Sequence, residues 1–189
     1  MKKLELVYNK ILEEVIENKN HQLTQKSLSK ELKISLSTVN HALQPIKNMG
    51  AIKINLKNFN VVNTRKILYY WASIRNIKRD IIYKTRVGKP VEEIEKLMPN
   101  SAIFTAYSAY KFKFRNKPAD YSEVYVYCNK EEIKERFPES KNVPNLFVLK
   151  KDIAELTTAN LFADLWNLKE WYAKDYLDAL QRRLNGILA

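Results

Sequence analysis

The sequence predicts an α+β protein made of a small helical domain with a β-hairpin, a long connecting helix and a small C-terminal α/β domain. Apolar residues recur at helical spacing before residue 50, and two short β-prone runs follow them. After residue 89, short runs typical of buried strands alternate with helical patterns. The 189 residues are 46% hydrophobic and 11% aromatic, which is enough apolar material for a folded core. We therefore expect three parts, at 1–63, 64–88 and 89–189.

Three helices are predicted in the first fifty residues. The first covers residues 4–17, where an apolar stripe with spacings of three and four residues consists of Leu4, Val7, Ile11 and Val15. Thr24 is a suitable N-cap for a second, short helix. Ser35 can cap a third, which ends near Gly50 and whose inward side chains are Val39, Leu43 and Ile46. Pro45 removes one backbone hydrogen bond inside this third helix, so we expect a kink or a break there.

A β-hairpin is predicted directly after the third helix, from residues 51–54 and 59–62. Three helices followed by a small hairpin is the element order of a winged helix-turn-helix. The stretch Thr24–Leu43, with Gly50-Ala51-Ile52 after it, resembles the DNA-binding region of winged-helix transcription regulators. The resemblance consists of a polar start, a Ser/Thr pair before an inward valine and a glycine–aliphatic step into the wing. It implies that the partner is double-stranded DNA.

The charge of the chain is unevenly distributed. The net charge is +12, and all of it lies in residues 1–89, because residues 90–189 carry 15 basic and 15 acidic side chains. One basic and one neutral half indicate a polyanion-binding module joined to a domain with a different task. Together with the helix-turn-helix order, this predicts a sequence-specific transcription regulator. We expect a homodimer, because a single module of this kind reads only a few base pairs.

The candidate DNA-binding residues lie mainly on the outward face of the third helix and on the hairpin. Ser and Thr hydroxyls suit phosphates or base edges, Asn and Gln can read adenine, and Lys binds phosphates. The predicted set is Lys26, Ser35, Ser37, Thr38, Asn40, His41, Gln44, Lys47, Lys53 and Lys57.

A single long helix is predicted from Thr64 to Thr85. Its apolar positions, again spaced by three and four residues, are Ile67, Trp71, Ile74, Ile77 and Ile81. In the C-terminal part, strands are predicted at 123–128 and 146–149, helices at 91–98 and 129–137, and one or two helices within 160–184. Asn129, with Glu132 three residues later, matches an asparagine version of the capping box.

Four segments of the C-terminal half resemble the C-terminal domain of AbiEi-type antitoxins, namely 104–110, 122–127, 161–168 and 173–177. That family joins an N-terminal winged helix to such a domain, represses its own operon and neutralises a nucleotidyltransferase-like toxin. The resemblance implies an autoregulator with a protein partner. This is the alternative to a regulator that acts without one.

Composition excludes several classes of site. The glycines Gly50, Gly88 and Gly186 are far apart, which excludes a phosphate-binding loop of the Walker or dinucleotide type. A single Cys excludes a cysteine zinc site, and the two His make a histidine metal cluster a poor candidate. The longest apolar run, Ile67–Ala72, is far below the ~20 residues needed to cross a bilayer. We expect a soluble, cytoplasmic protein.

A nucleotidyl-transferring enzyme is the less favoured alternative. Such enzymes hold two metal ions on two acidic residues that are one residue apart on a strand. Here Tyr125 stands where the second carboxylate would follow Glu123, so we expect no enzyme activity, no metal and no cofactor. Tyr121, Tyr125 and Tyr127 alternate along the same strand, and we expect them to belong to a core or an interface.

Overall fold

The computed structural model of the chain describes residues 1–186 and shows an α+β protein with a helical N-terminal region. Its helices are α1 (Lys3–Ile16), α2 (Gln25–Leu32), α3 (Leu36–Asn48), α4 (Thr64–Ile74), α5 (Val91–Lys96), α6 (Ala106–Phe114), α7 (Lys130–Arg136), α8 (Thr158–Trp166) and α9 (Ala173–Asn185). Its strands are β1 (Gln22–Leu23), β2 (Ile52–Ile54), β3 (Phe59–Val61), β4 (Ile81–Thr85), β5 (Ile103–Thr105), β6 (Val124–Cys128) and β7 (Leu146–Lys150).

The chain divides into two compact units. The first unit contains Met1–Arg75, Thr157–Ala163 and residues 183–186, and the second contains Asn76–Leu156 and Asp164–Arg182. Residues 187–189, which the sequence assigns to the C-terminal domain, lie outside the described residues. No helix among the described residues is long and apolar enough to span a membrane.

The first unit has a core between α1, α3 and α4, and its largest fully buried side chain is that of Trp71 in α4. A three-stranded antiparallel sheet in the order β1-β3-β2 completes this unit. The predicted hairpin is confirmed, with Ile52 opposite Val61 and Ile54 opposite Phe59. Strand β1 was not predicted, because two residues are too few to produce an alternating pattern.

The predicted N-caps Thr24 and Ser35 are confirmed. Asn129 caps its helix by accepting from the Glu131 N–H, but Glu132 accepts from the Ser101 hydroxyl and does not complete the predicted capping box. The Thr24 hydroxyl accepts a hydrogen bond from the Ser27 N–H at 3.0 Å. After α3, Gly50 has a φ of +69°, and the Ala51 N–H donates to the Ile46 carbonyl at 2.8 Å, which is the Schellman ending that a glycine permits. The predicted break at Pro45 does not occur, because only one bond is lost and the buried residues on either side keep α3 continuous to Asn48.

The predicted helix from Thr64 to Thr85 is wrong beyond Ile74. A short 3-10 helix, Ile77–Asp80, follows α4, and residues 81–85 form β4, which pairs antiparallel with β7. Ile77 and Ile81 continue the helical spacing, but the run Ile81-Ile82-Tyr83 also suits a strand. Pairing with β7 therefore decides the conformation of this segment. The apolar stripe of α4 is covered within the first unit, since Ile67 and Trp71 are fully buried.

The second unit is built on a four-stranded sheet in the order β4-β7-β6-β5, in which only the β6–β7 pair of the described strands is parallel. One face packs on α5 and α7 through an apolar cluster that includes Ile94, Val126, Ile133 and Val148. On the other face, the register aligns Lys84, Phe147, Tyr125 and Thr105 in one row across the sheet. The predicted strands at β6 and β7 are confirmed.

Candidate nucleic-acid interface

A tight turn joins α2 to α3. Lys33 ends α2 in the left-handed conformation, with a φ of +53°. The Ser29 hydroxyl donates to the Ile34 carbonyl at 2.6 Å, and the Ile34 N–H donates to the Ser29 carbonyl at 3.1 Å. Ser35 then caps α3 by accepting a hydrogen bond from the Thr38 N–H at 3.1 Å. These local bonds fix the direction in which α3 leaves the turn.

Helix α3 has a fully buried stripe and an exposed face. The buried residues follow the helical repeat and are Val39, Ala42, Leu43 and Ile46. Ser37, Asn40, His41, Gln44 and Lys47 are all exposed, and at about 100° per residue they project on the side opposite that stripe. The structure therefore brings these five predicted residues together on one helical face.

Two pairs of predicted residues bond to each other on α3. The hydroxyls of Ser35 and Thr38 lie 2.8 Å apart, and Thr38 is half-buried, so this pair serves first to cap the helix. The Gln44 amide nitrogen donates to the Asn40 side-chain oxygen at 2.7 Å. This bond orders two side chains that can each recognise adenine.

The remaining predicted residues are all exposed. Lys26 lies in the first turn of α2, Lys53 lies in β2, and Lys57 lies in the turn between β2 and β3. In that turn the Asn55 N–H donates to the Asn58 carbonyl at 2.8 Å, and the Asn55 amide donates to the Asn58 side-chain oxygen at the same distance. The turn is therefore closed by both backbone and side-chain bonds.

Leu56, at the tip of this turn, is 98% exposed. Leu56 is not among the predicted DNA-binding residues, because residue type alone does not show that a leucine is exposed. A large apolar side chain at the tip of a closed, basic turn is suited to contact with a partner.

The carboxylates of the N-terminal region lie outside α3 and the hairpin, where they form ion pairs with basic side chains. Glu13, Glu14 and Glu31 all pair with Lys10 at 3.0–3.4 Å. Burial by itself would raise the pKa of the Glu14 carboxyl, but hydrogen bonds from Lys10 and Asn20 hold it below its usual value. Glu5 pairs with Arg75. The sequence holds no acidic residue between Glu31 and Asp80, which includes all of α3 and the hairpin. The exposed face of α3 is thus free of the charges that would repel phosphates.

Comparison with known proteins supports this assignment. Residues 8–58 match the family model described as an HTH domain, from within α1 to the turn between β2 and β3. The N-terminal region is a helix-turn-helix DNA-binding domain. This match supports a DNA-binding regulator role. No curated protein and no solved structure matches the chain significantly.

In the second unit, Glu123 precedes β6 and lies near Glu170. Burial raises the pKa of Glu123, and repulsion from Glu170 adds to this effect, although a hydrogen bond from Ser122 opposes it. Tyr125 donates to Glu170 at 3.1 Å, and its ring stacks on that of Phe147 at 4.7 Å. Within residues 1–186, no group of three or more His, Cys, Asp or Glu side chains is placed to hold a metal ion.

The predicted row of three tyrosines is only partly correct. Tyr125 and Tyr127 are buried on β6, as expected for a core. Tyr121 lies before the strand, where its hydroxyl donates to Glu95 at 2.6 Å. The sequence alone does not show that β6 begins at Val124, since Tyr121 has the same odd-numbered spacing as Tyr125 and Tyr127, although Glu123 interrupts the pattern.

Proposed function

We propose that this protein is a sequence-specific transcription regulator with a winged helix-turn-helix domain, in which α3 enters the major groove and the β2–β3 hairpin is the wing. The observation that carries the proposal is the exposed polar and basic face of α3, in a segment without acidic residues. An α-helix fits the major groove, where base pairs can be distinguished by their hydrogen-bonding groups.

Five of the ten predicted residues have a role that their position supports. Asn40 and Gln44 lie in the middle of the exposed face and contact base edges, whereas Lys47 contacts a phosphate. Lys53 and Lys57 on the wing contact phosphates beside the groove that α3 occupies. Specificity therefore depends on α3, and the wing contributes affinity that depends on salt.

The first experiment is selection of bound sequences from a random DNA pool with the full chain, followed by titration of the selected site over a range of salt concentrations. Lys47→Ala should weaken binding to all sequences and reduce the salt slope by about 1. Gln44→Ala should cost about 1–3 kcal/mol on the selected site only. Lys174→Ala, which removes an exposed lysine of the second unit, is the matched control. If no sequence is enriched and the variants bind like the parent, the proposal is wrong.

We also propose a homodimer, assembled through the second unit. Ile67 and Trp71 of the apolar stripe of α4 are fully buried inside the first unit, and Ile74 is 39% exposed, so this helix offers little apolar surface for the dimer contact that the sequence suggested. In the second unit Trp171 is 79% exposed and Phe112 is 50% exposed, and such side chains are suited to an interface. Sedimentation of the parent and of Trp171→Ser tests this, because a monomeric parent would contradict it.

The antitoxin-like alternative assigns the same exposed apolar side chains to a protein partner. Trp171 and Phe112 would then be covered by a different chain, as the resemblance to AbiEi-type antitoxins implies. Co-expression with the product of the neighbouring gene distinguishes the two proposals. A stable complex that Trp171→Ser disrupts, with a monomeric parent, favours the partner protein.

We propose that the second unit has no catalytic activity and requires no cofactor. Tyr125 stands in place of a second metal-binding carboxylate, and its hydroxyl is bonded to Glu170. Incubation of the protein with each nucleoside triphosphate and Mg²⁺ tests this directly. Nucleotide transfer that is lost in Glu123→Ala would support the enzyme alternative.

A further inference from the structure

A broad cleft of about 1210 Å³ lies in the second unit. It runs along β4, which is an edge strand of the four-stranded sheet. Its lining includes six lysines, namely Lys78, Lys84, Lys130, Lys134, Lys141 and Lys169, against three glutamates. In the part of the chain that the structure describes, none of these six ammonium groups is in an ion pair. The cleft is therefore positively charged, which favours an anionic ligand, although the Lys134 ammonium also lies 5.7 Å from the centre of the Tyr83 ring.

The lining of the cleft includes a stacked aromatic pair, Tyr125 and Phe147, which forms an aromatic shelf. Tyr125 and Phe147 are paired across β6 and β7, and their rings are stacked at 4.7 Å with an angle of 10° between the planes. Tyr125 is buried, but Phe147 is only half-buried. Lys84 is paired with Phe147 across the next strand and is exposed on the same face. A flat ring stacked on Phe147 would thus lie beside an available ammonium group.

Two carboxylates also line the cleft, and one of them has an oxygen without a hydrogen-bond donor. Glu123 and Glu170 both line the cleft. The carboxylate of Glu170 already accepts hydrogen bonds from the hydroxyls of Tyr107 and Tyr125. Oε1 of Glu123 accepts from the Ser122 hydroxyl at 3.1 Å, whereas its Oε2 is buried and has no hydrogen-bond partner. A buried acceptor without a donor is costly, so the site is suited to a ligand that carries an N–H group.

We propose that this cleft binds a nucleotide: its base stacks on Phe147, an amino group of the base donates to Glu123, and its phosphates are bound by Lys84 and the neighbouring lysines. A ligand with a single carboxylate would pair with only one of the lysines, whereas a polyphosphate can pair with several of them. The volume exceeds the ~300–1,000 Å³ of most small-ligand sites, so a nucleotide fills only part of it. The inference is independent of DNA binding, because none of the residues of α3 or the hairpin lines the cleft.

The test is calorimetric titration of the full chain with ATP, adenosine and inorganic tripolyphosphate. We expect ATP to bind at least about tenfold more tightly than either fragment, because only ATP uses the shelf and the lysines together. Lys84→Ala should weaken ATP binding, and Phe147→Leu should do the same while the melting temperature shows whether that variant is folded. Lys174→Ala and Gln44→Ala should bind ATP like the parent, since they lie outside the cleft.

Glu123→Ala separates this proposal from general attraction of anions. It should weaken the binding of ATP, which loses a hydrogen bond, but should leave or strengthen the binding of tripolyphosphate, which loses a repulsive charge. The proposal is overturned if tripolyphosphate binds as tightly as ATP, because the shelf and Glu123 would then have no role. It is also overturned if ATP does not bind at millimolar concentration, or if Gln44→Ala abolishes binding and so assigns it to α3.

Discussion

The hydroxyl of Tyr8 in α1 donates a hydrogen bond of 2.9 Å to the carbonyl of Ala42, in the middle of the buried stripe of α3. Tyr8 is 1% exposed, and burial raises the pKa of its hydroxyl. This bond attaches the back of the proposed recognition helix to the helix behind it. The orientation of the exposed face of α3 therefore depends on α1 as well as on the turn at Ser35.

Tyr8→Phe should lower the free energy of unfolding by about 1 kcal/mol, because it removes one buried hydrogen bond and keeps the ring. Urea denaturation followed by the circular dichroism signal measures this. Hydrogen exchange of the amides in α3 should become faster, while exchange in β6 and β7 should not change. Equal acceleration in both units would contradict a local role.

Glu5 and Arg75 form a buried ion pair at 3.1 Å, and their side chains are 5% and 1% exposed. Glu5→Gln should lower the free energy of unfolding by about 3–5 kcal/mol, because removing one partner of a buried ion pair is strongly destabilising. The double variant Glu5→Leu/Arg75→Met removes both charges and should recover most of this loss. If the double variant is as unstable as Glu5→Gln, the pair itself stabilises the fold more than we expect.

Leu56 should contribute to DNA binding without contributing to stability. Because it is 98% exposed, Leu56→Ser should change the free energy of unfolding by less than about 0.5 kcal/mol. The affinity of the Leu56→Ser variant for the selected DNA site should fall, since apolar side chains of DNA-binding proteins contact sugars and base steps in the minor groove. Val143→Ser, at an apolar residue of the second unit that is 81% exposed, is the matched control and should bind DNA normally.

Glu123 should make the stability of the protein depend on pH. Burial raises its pKa above the unfolded value of about 4.3, so ionisation of this carboxyl destabilises the folded state. The destabilisation is absent below the unfolded pKa and grows as the pH rises through the folded pKa. Glu123→Gln should therefore be more stable than the parent at pH 7, with a difference that disappears near pH 4. Denaturant titrations at both pH values measure it, and a difference that is larger at low pH would refute the assignment.

The elements of the helix-turn-helix domain could be predicted because their signals are local. Thr24 and Ser35 cap the helices that follow them, Gly50 ends α3, and the hairpin has a β-prone run on each side of its turn. The exposed residues of α3 follow from the same helical spacing that places Val39 and Leu43 inside. Leu56 was missed because its exposure depends on the direction of the turn and not on residue type.

Residues 75–85 show where local signals are insufficient. Ile77 and Ile81 suit a helix by spacing and a strand by side-chain type, and only pairing with β7, more than sixty residues later, selects the strand. The proposed nucleotide cleft is unpredictable for the same reason, since Lys84, Phe147 and Tyr125 come together only through the register of β4, β7 and β6. The sequence by itself determined the helix-turn-helix domain and its basic, acid-free face, because caps, turns and helical spacing act over a few residues. The tertiary structure alone decided the strand order of the second unit and its cleft, because strand pairing joins residues that are distant in the chain.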